Sequence, residues 1–156
     1  MTDHHHDTAP IAGSDALASA PSNPDAEFLA LAPVLLPLID QHRDEQAVAS
    51  ALNEETFRIT GPLMLDQGGD DFERRYKRYL RTAEETGYEA AWRRLCETTD
   101  EILRLVEPFR ERPAATVAGL ALKARLSAVD DSWNAQVLAD LRTVPLDEGS
   151  RAPGHA

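Results

Sequence analysis

Residues 90–109 read AAWRRLCETTDEILRLVEPF, and this stretch decides the fold class. Trp92, Leu95, Thr99, Ile102, Val106 and Phe109 follow one another at alternating three- and four-residue steps. Such spacing lays side chains along one stripe of an α-helix. Leu103 widens the stripe, and Arg93, Arg94, Glu97, Asp100, Glu101 and Arg104 fill the other face. The stretch is therefore expected to be the central strut of a helical bundle.

Downstream, Pro108 discourages continuation of that helix, and residues 110–113 make a turn. A further helix is expected from Pro113 or Thr116 to Val129. Ala115 and Gly119 give it a face of small residues that suits close approach by bulky neighbours, with Trp92 and Phe109 the expected ones. Asp130-Asp131-Ser132 offers N-cap chemistry for a last helix, from Trp133 to Leu141 or Val144, which Pro145 ends.

Upstream, Phe72, Tyr76, Tyr79, Leu80 and Ala83 form the apolar arc of a helix over 71–85, which Gly87 interrupts. Residues 60–71 read as a loop punctuated by Gly61-Pro62 and Gly68-Gly69, with Leu63, Met64 and Leu65 expected against the core. Its Gly-Gly-Asp-Asp run lacks the Lys-Ser/Thr ending of a phosphate cradle, and its carboxylates repel phosphate. The first helix is expected to start at Asn23-Pro24, a favoured cap followed by a residue suited to the first turn. Asp25 and Glu27 would then complement the helix dipole. Phe28, Leu31, Leu35, Leu38, Ile39 and His42 form its apolar face, while Pro33 and Pro37 predict a kink or break between Leu31 and Leu38. Beyond them the helix is expected to extend towards Phe57.

Charged residues at 28% and hydrophobic ones at 42% fall in the range of chains that fold around a core. Ala, Leu, Glu and Arg dominate, which favours helix over strand. The expected architecture is all-α, an irregular antiparallel bundle of four to five helices. One helical domain is expected over 24–144, between a disordered tail (1–23) and a flexible one (145–156). The net charge of -11 disfavours nucleic acid and membrane surfaces, both anionic. The start MTDHHHDTAP lacks a basic, apolar leader, and no apolar run is long enough to span a bilayer, so the expected location is the cytoplasm.

Chemistry is sparse. Asp3–Asp7 (DHHHD) crowds three imidazoles between carboxylates, but a flexible tail does not hold fixed ligand geometry. Asp40, His42, Asp44 and Glu45 lack the Glu-x-x-His pairing of a bundle metal site, and His42 reads as a core-edge histidine. Cys96 is the only cysteine; it has no His nearby in sequence and reads as a buried small hydrophobe. No catalytic residue, cofactor or metal site is assigned. The one candidate interaction face is basic: Arg74, Lys77, Arg78 and Arg81 share the arc opposite Tyr76 and Tyr79. With the tyrosines committed to the core, that arc reads as a solvated face, and as a nucleic-acid contact only in the alternative.

Residues 113–125, PAATVAGLALKAR, resemble a stretch recurring in small helical proteins of bacterial genomes, often encoded beside prophage or plasmid genes. There an Ala-x-Thr-x-x-Gly start opens a helix that continues with a Lys-Ala-Arg element, here Lys123-Ala124-Arg125. Asp25-Ala26-Glu27 matches an early Asp-Ala-Glu element of the same proteins, while the double proline departs from their pattern. The resemblance implies an all-α fold and carries no functional residues across. The function expected is that of a non-enzymatic accessory protein acting by protein–protein contact, through a homodimer or a partner. A weak nucleic-acid-associated regulator using Arg74–Arg81 is the alternative.

Overall fold

A computed structural model describes residues 23–61 and 70–145. Most of both expected tails, the DHHHD run and the segment Leu63–Leu65 lie outside the described residues. Those described form α1 (Ala26–Leu29), α2 (Ala32–Thr60), α3 (Asp70–Glu85), α4 (Tyr88–Val106), a 3-10 turn (Glu107–Phe109), α5 (Val117–Leu126) and α6 (Ser132–Asp140). The described fold is all-α, with one helix more than the upper expected count because the first predicted helix divides. None of these helices is long and apolar enough to cross a membrane.

The division falls at Ala30–Leu31, just ahead of both prolines. Pro33 then sits in the first turn of α2, where its missing N–H has no partner to lose. Pro37 stays inside an uninterrupted helix, so of the kink or break expected between Leu31 and Leu38 no break occurs within α2. Both prolines face solvent, so the carbonyl that Pro37 leaves unbonded is open to water. Leu35 and Ile39 meanwhile hold the inner side of the same turns in the core.

The remaining punctuation is local chemistry. Gly87 takes φ +81° between α3 and α4, a left-handed conformation that glycine adopts without strain. Thr116 caps α5 by accepting the Gly119 N–H at 3.0 Å. Asp130 accepts the Ser132 N–H at 2.9 Å, and chiefly that bond holds its carboxyl below the ordinary range. Arg78 of α3 donates to the Ile59 carbonyl at 3.1 Å, placing a cation at the C-terminal end of the α2 dipole.

The two longest helices, α2 and α4, run antiparallel. Ala49 clusters with Ala91, Glu45 bonds Thr98, and Leu35 and Ile39 share a core with Ile102 and Val106. The other described helices cover one side of this pair. Asn53 and Phe57 touch Tyr79 of α3, while Ile39 and Gln46 line a cavity with Ala124 and Ala128 at α5. Positions 39, 46, 53 and 57 are separated by whole heptads or one turn, so they share one face of α2. At the Pro33 end α1, α5 and α6 build the main core of Phe28, Leu35, Ile102, Val106, Leu126 and Trp133. At the Thr60 end the buried cluster is only Ala49, Ala91 and Leu95, with Leu52 and Tyr88 packed against it.

Two expected core assignments are corrected. The buried stripe of α4 is Ala91, Leu95, Thr98, Ile102 and Val106, and Trp92 is 51% exposed. Ala49 and Ala91 share a buried cluster with Leu95, so α4 turns its alanine and not Trp92 toward α2. Likewise Tyr76 and Leu80 are exposed, since α3 buries Thr82 and Ala83 and rests on α2 through Tyr79.

Candidate functional site

The expected small-residue contact lies elsewhere. Gly119 does not meet Trp92. It faces Asp25, whose Cγ stands 2.7 Å from where a Cβ on residue 119 would be. Asp25 is buried, and its carboxylate does not serve the first turn of its own helix. It accepts the Ala115 N–H at 3.1 Å, the Thr116 N–H at 2.8 Å and the Thr116 hydroxyl at 2.6 Å. Asp25 thus anchors the two residues that lead into α5, the second of which is its N-cap.

A second buried polar centre lies alongside. Lys123 is 2% exposed, donates to Asp140 at 2.8 Å and also bonds the Arg112 carbonyl. Asp140 accepts the Ala114 N–H at 2.9 Å with the same oxygen. Residues 112–116 are therefore pinned from both sides, by Asp25 and by the Lys123–Asp140 pair. Lys123 was not singled out in the sequence. The available signal was its position three residues after Leu120 and three before Leu126, both buried. Cavities of about 180 and 140 Å3 flank the pinned segment, the larger lined by Asp25, Phe28, Phe109, Arg112 and Lys123. The polar groups converging there are spent on the chain's own backbone, which is the pattern of a structural lock.

The basic candidates all project from α3 into solvent. Arg74 pairs with Asp71 at 3.4 Å, Lys77 with Glu73 at 2.6 Å, and Arg78 is drawn to the end of α2. Arg81 is exposed with no ion pair among the described residues. Local acids thus halve the charge a polyanion would meet. Tyr76, expected in the core, is instead 43% exposed and stacks on Phe72 at 6.0 Å between centroids. It stands on the side of α3 away from Arg74, Arg78 and Arg81. Cys96 is half-buried on the flank of α4 that carries Trp92, rather than in the core. Among the described residues no group of three His, Cys, Asp or Glu is placed to hold a metal ion.

The other described helices leave one side of the α2–α4 pair uncovered. Val34 (53% exposed) and Val48 (49%) project from α2 there, with Leu38 and Leu52 half-buried in the same row. Opposite, α4 presents Arg94 and Glu101, with Ala91 and Thr98 buried against α2. The two rows are tied across their middle. Gln41 donates to Glu45 at 2.9 Å and to Thr98 at 3.3 Å, and Thr98 donates to Glu45 at 2.7 Å. Those two bonds, first from Gln41 and then from Thr98, hold the Glu45 carboxyl below its ordinary range, helped by the charge of Arg94. A notch of about 240 Å3 opens above this layer, between Asp44, Glu45, Val48, Ala91 and Arg94. No family model, curated protein or solved structure matches the chain.

Proposed function

We propose that this is a non-enzymatic interaction protein of the cytoplasm, an accessory factor of the kind encoded by mobile elements, which works by protein–protein contact. The observation that carries this function is the one-sided cover of the α2–α4 pair. Two long antiparallel helices bury one face against α1, α3, α5 and α6, and leave the other with Val34 and Val48 about half exposed. Exposed aliphatics in a row between helices favour a helical partner. The buried polar groups support the same view, because Asp25, Lys123 and Asp140 are consumed in holding the fold. The basic face of α3 carries less weight, since Asp71 and Glu73 neutralise much of it.

The test is photo-crosslinking in cells producing the full chain, with a photoreactive amino acid at position 48 or, as control, at Glu54 on the far side of α2. Discrete adducts at position 48 and none at 54 are expected. Equal labelling at both, or none at 48, would remove the proposal.

A further inference from the structure

The geometry points to an occupant for the open side of the α2–α4 pair: an amphipathic helix from a partner protein, with an apolar stripe flanked by lysine or arginine. This builds on the protein-contact function proposed above and names the chemistry of the partner.

The two rows that bound the groove have matching periods. Along α2, Val34, Leu38, Gln41, Glu45, Val48 and Leu52 alternate steps of four and three. Along α4, Ala91, Arg94, Thr98, Glu101 and Leu105 alternate three and four, with Ala91 and Thr98 buried and Arg94 and Glu101 exposed. This is the repeat that keeps side chains facing a third helix in a left-handed bundle. The α2 row belongs to a 29-residue helix, about 43 Å long at 1.5 Å per residue, and α4 lies beside it for 19 residues. Apolar contact is offered above and below the polar layer, by Val48 and Leu52 at one end and Val34 and Leu38 at the other. The Gln41–Glu45–Thr98 layer between them would fix register, as single polar positions do in helical bundles.

Charge selects among occupants. Glu97 and Glu101 are exposed along α4 and make no ion pair among the described residues. Glu45 adds a carboxylate on the α2 side, while Asp44 is paired with Arg43 at 3.4 Å and Arg94 is the cation lining the notch. A second copy would bring the same acidic rim and a net charge of -11 to meet it. Like charges across an interface are costly, whereas a basic helix meets complementary potential.

Two synthetic helical peptides of about three heptads test this, sharing one leucine stripe and flanked by lysine or by glutamate. Each is titrated into the full-length chain, read by fluorescence anisotropy and by backbone amide shifts. The lysine peptide should bind at least roughly tenfold more tightly than the glutamate peptide, with shifts on α2 and α4. Val48→Asn, a surface change whose melting curve controls for folding, should weaken it roughly tenfold, and Glu97→Gln with Glu101→Gln should flatten its salt dependence. Equal affinity for both peptides, shifts on α3, or indifference to Val48→Asn would overturn the inference. So would a dimer, seen in the ultracentrifuge, that Val48→Asn dissolves, because a second copy would then hold the seat. Adducts at position 48 without a basic preference would leave the protein-contact function standing and refute only this choice of partner.

Discussion

The Asp25 carboxylate accepts both the backbone N–H and the hydroxyl of Thr116, at 2.8 and 2.6 Å, across 91 positions of sequence. One side chain thereby joins the first described turn of the chain to the start of α5. The Asp-Ala-Glu and Ala-x-Thr-x-x-Gly elements, far apart in sequence, are in direct contact.

Asp25→Ala leaves the Ala115 and Thr116 donors without their partner. A loss of about 1–2 kcal/mol is expected, in the range of a lost helix cap. Asp25→Asn keeps one acceptor oxygen and should cost less. Urea unfolding of the three proteins, followed by circular dichroism, gives the order.

Gly119→Ala sets a Cβ against the Asp25 carboxylate. Destabilisation of about 1–3 kcal/mol is expected from overpacking. The same substitution should cost much less once Asp25 is alanine, because the clash and the cap share one side chain. A double-mutant cycle measures that coupling, and additive effects would place the clash elsewhere.

Lys123→Met strands the Asp140 carboxylate in the interior, where it is 7% exposed. Removing one partner of such a buried pair costs about 3–5 kcal/mol. Replacing both, Lys123→Met with Asp140→Leu, should recover part of the loss and leave the Ala114 N–H and the Arg112 carbonyl as the remaining deficit. Thermal unfolding of the single and double variants separates the two cases.

Acid should weaken the fold in two stages. Burial is the main cause that holds the His42 imidazole below its ordinary value of 6.5, with Glu45 opposing. The unfolded chain therefore binds the proton first, and stability falls as pH drops below 6.5. Glu45 is depressed below 4.5, so its contribution is intact above that value and is lost only as pH falls further. His42→Gln should abolish the first stage and spare the second, as read from unfolding midpoints at successive pH values.

The class of the fold and most helix ends were legible because they depend on neighbours in sequence. Gly87, Pro108 and Asp130–Ser132 punctuate the chain through local backbone chemistry, and each marks a boundary in the structure. The phase of α4 was not legible. Bulk favours Trp92 as the inward residue, but Ala91 is the one packed with Ala49, and that fit is a property of two helices together. Asp25 misled for the same reason, since its position predicts a local dipole role and its partners lie on α5. The open row on α2 was present in the spacing of Val34, Leu38, Val48 and Leu52. Pro33 and Pro37 drew attention to where the helix should break, and the row shows only when α2 is seen to continue.

The uneven core along α2 and α4 has a consequence for how the molecule opens. At the Pro33 end each large buried apolar side chain contributes about 1.5–3 kcal/mol, whereas the alanines at the Thr60 end offer far less area. One continuous helix therefore spans two regions of different local stability. Amide exchange along α2 should run as a gradient, slow around Leu35 and Ile39 and faster beyond Ala49, with α3 exchanging as a unit before global unfolding. Sub-global opening of that kind would loosen the Val48 end of the open row while leaving the Asp25 and Lys123 locks closed.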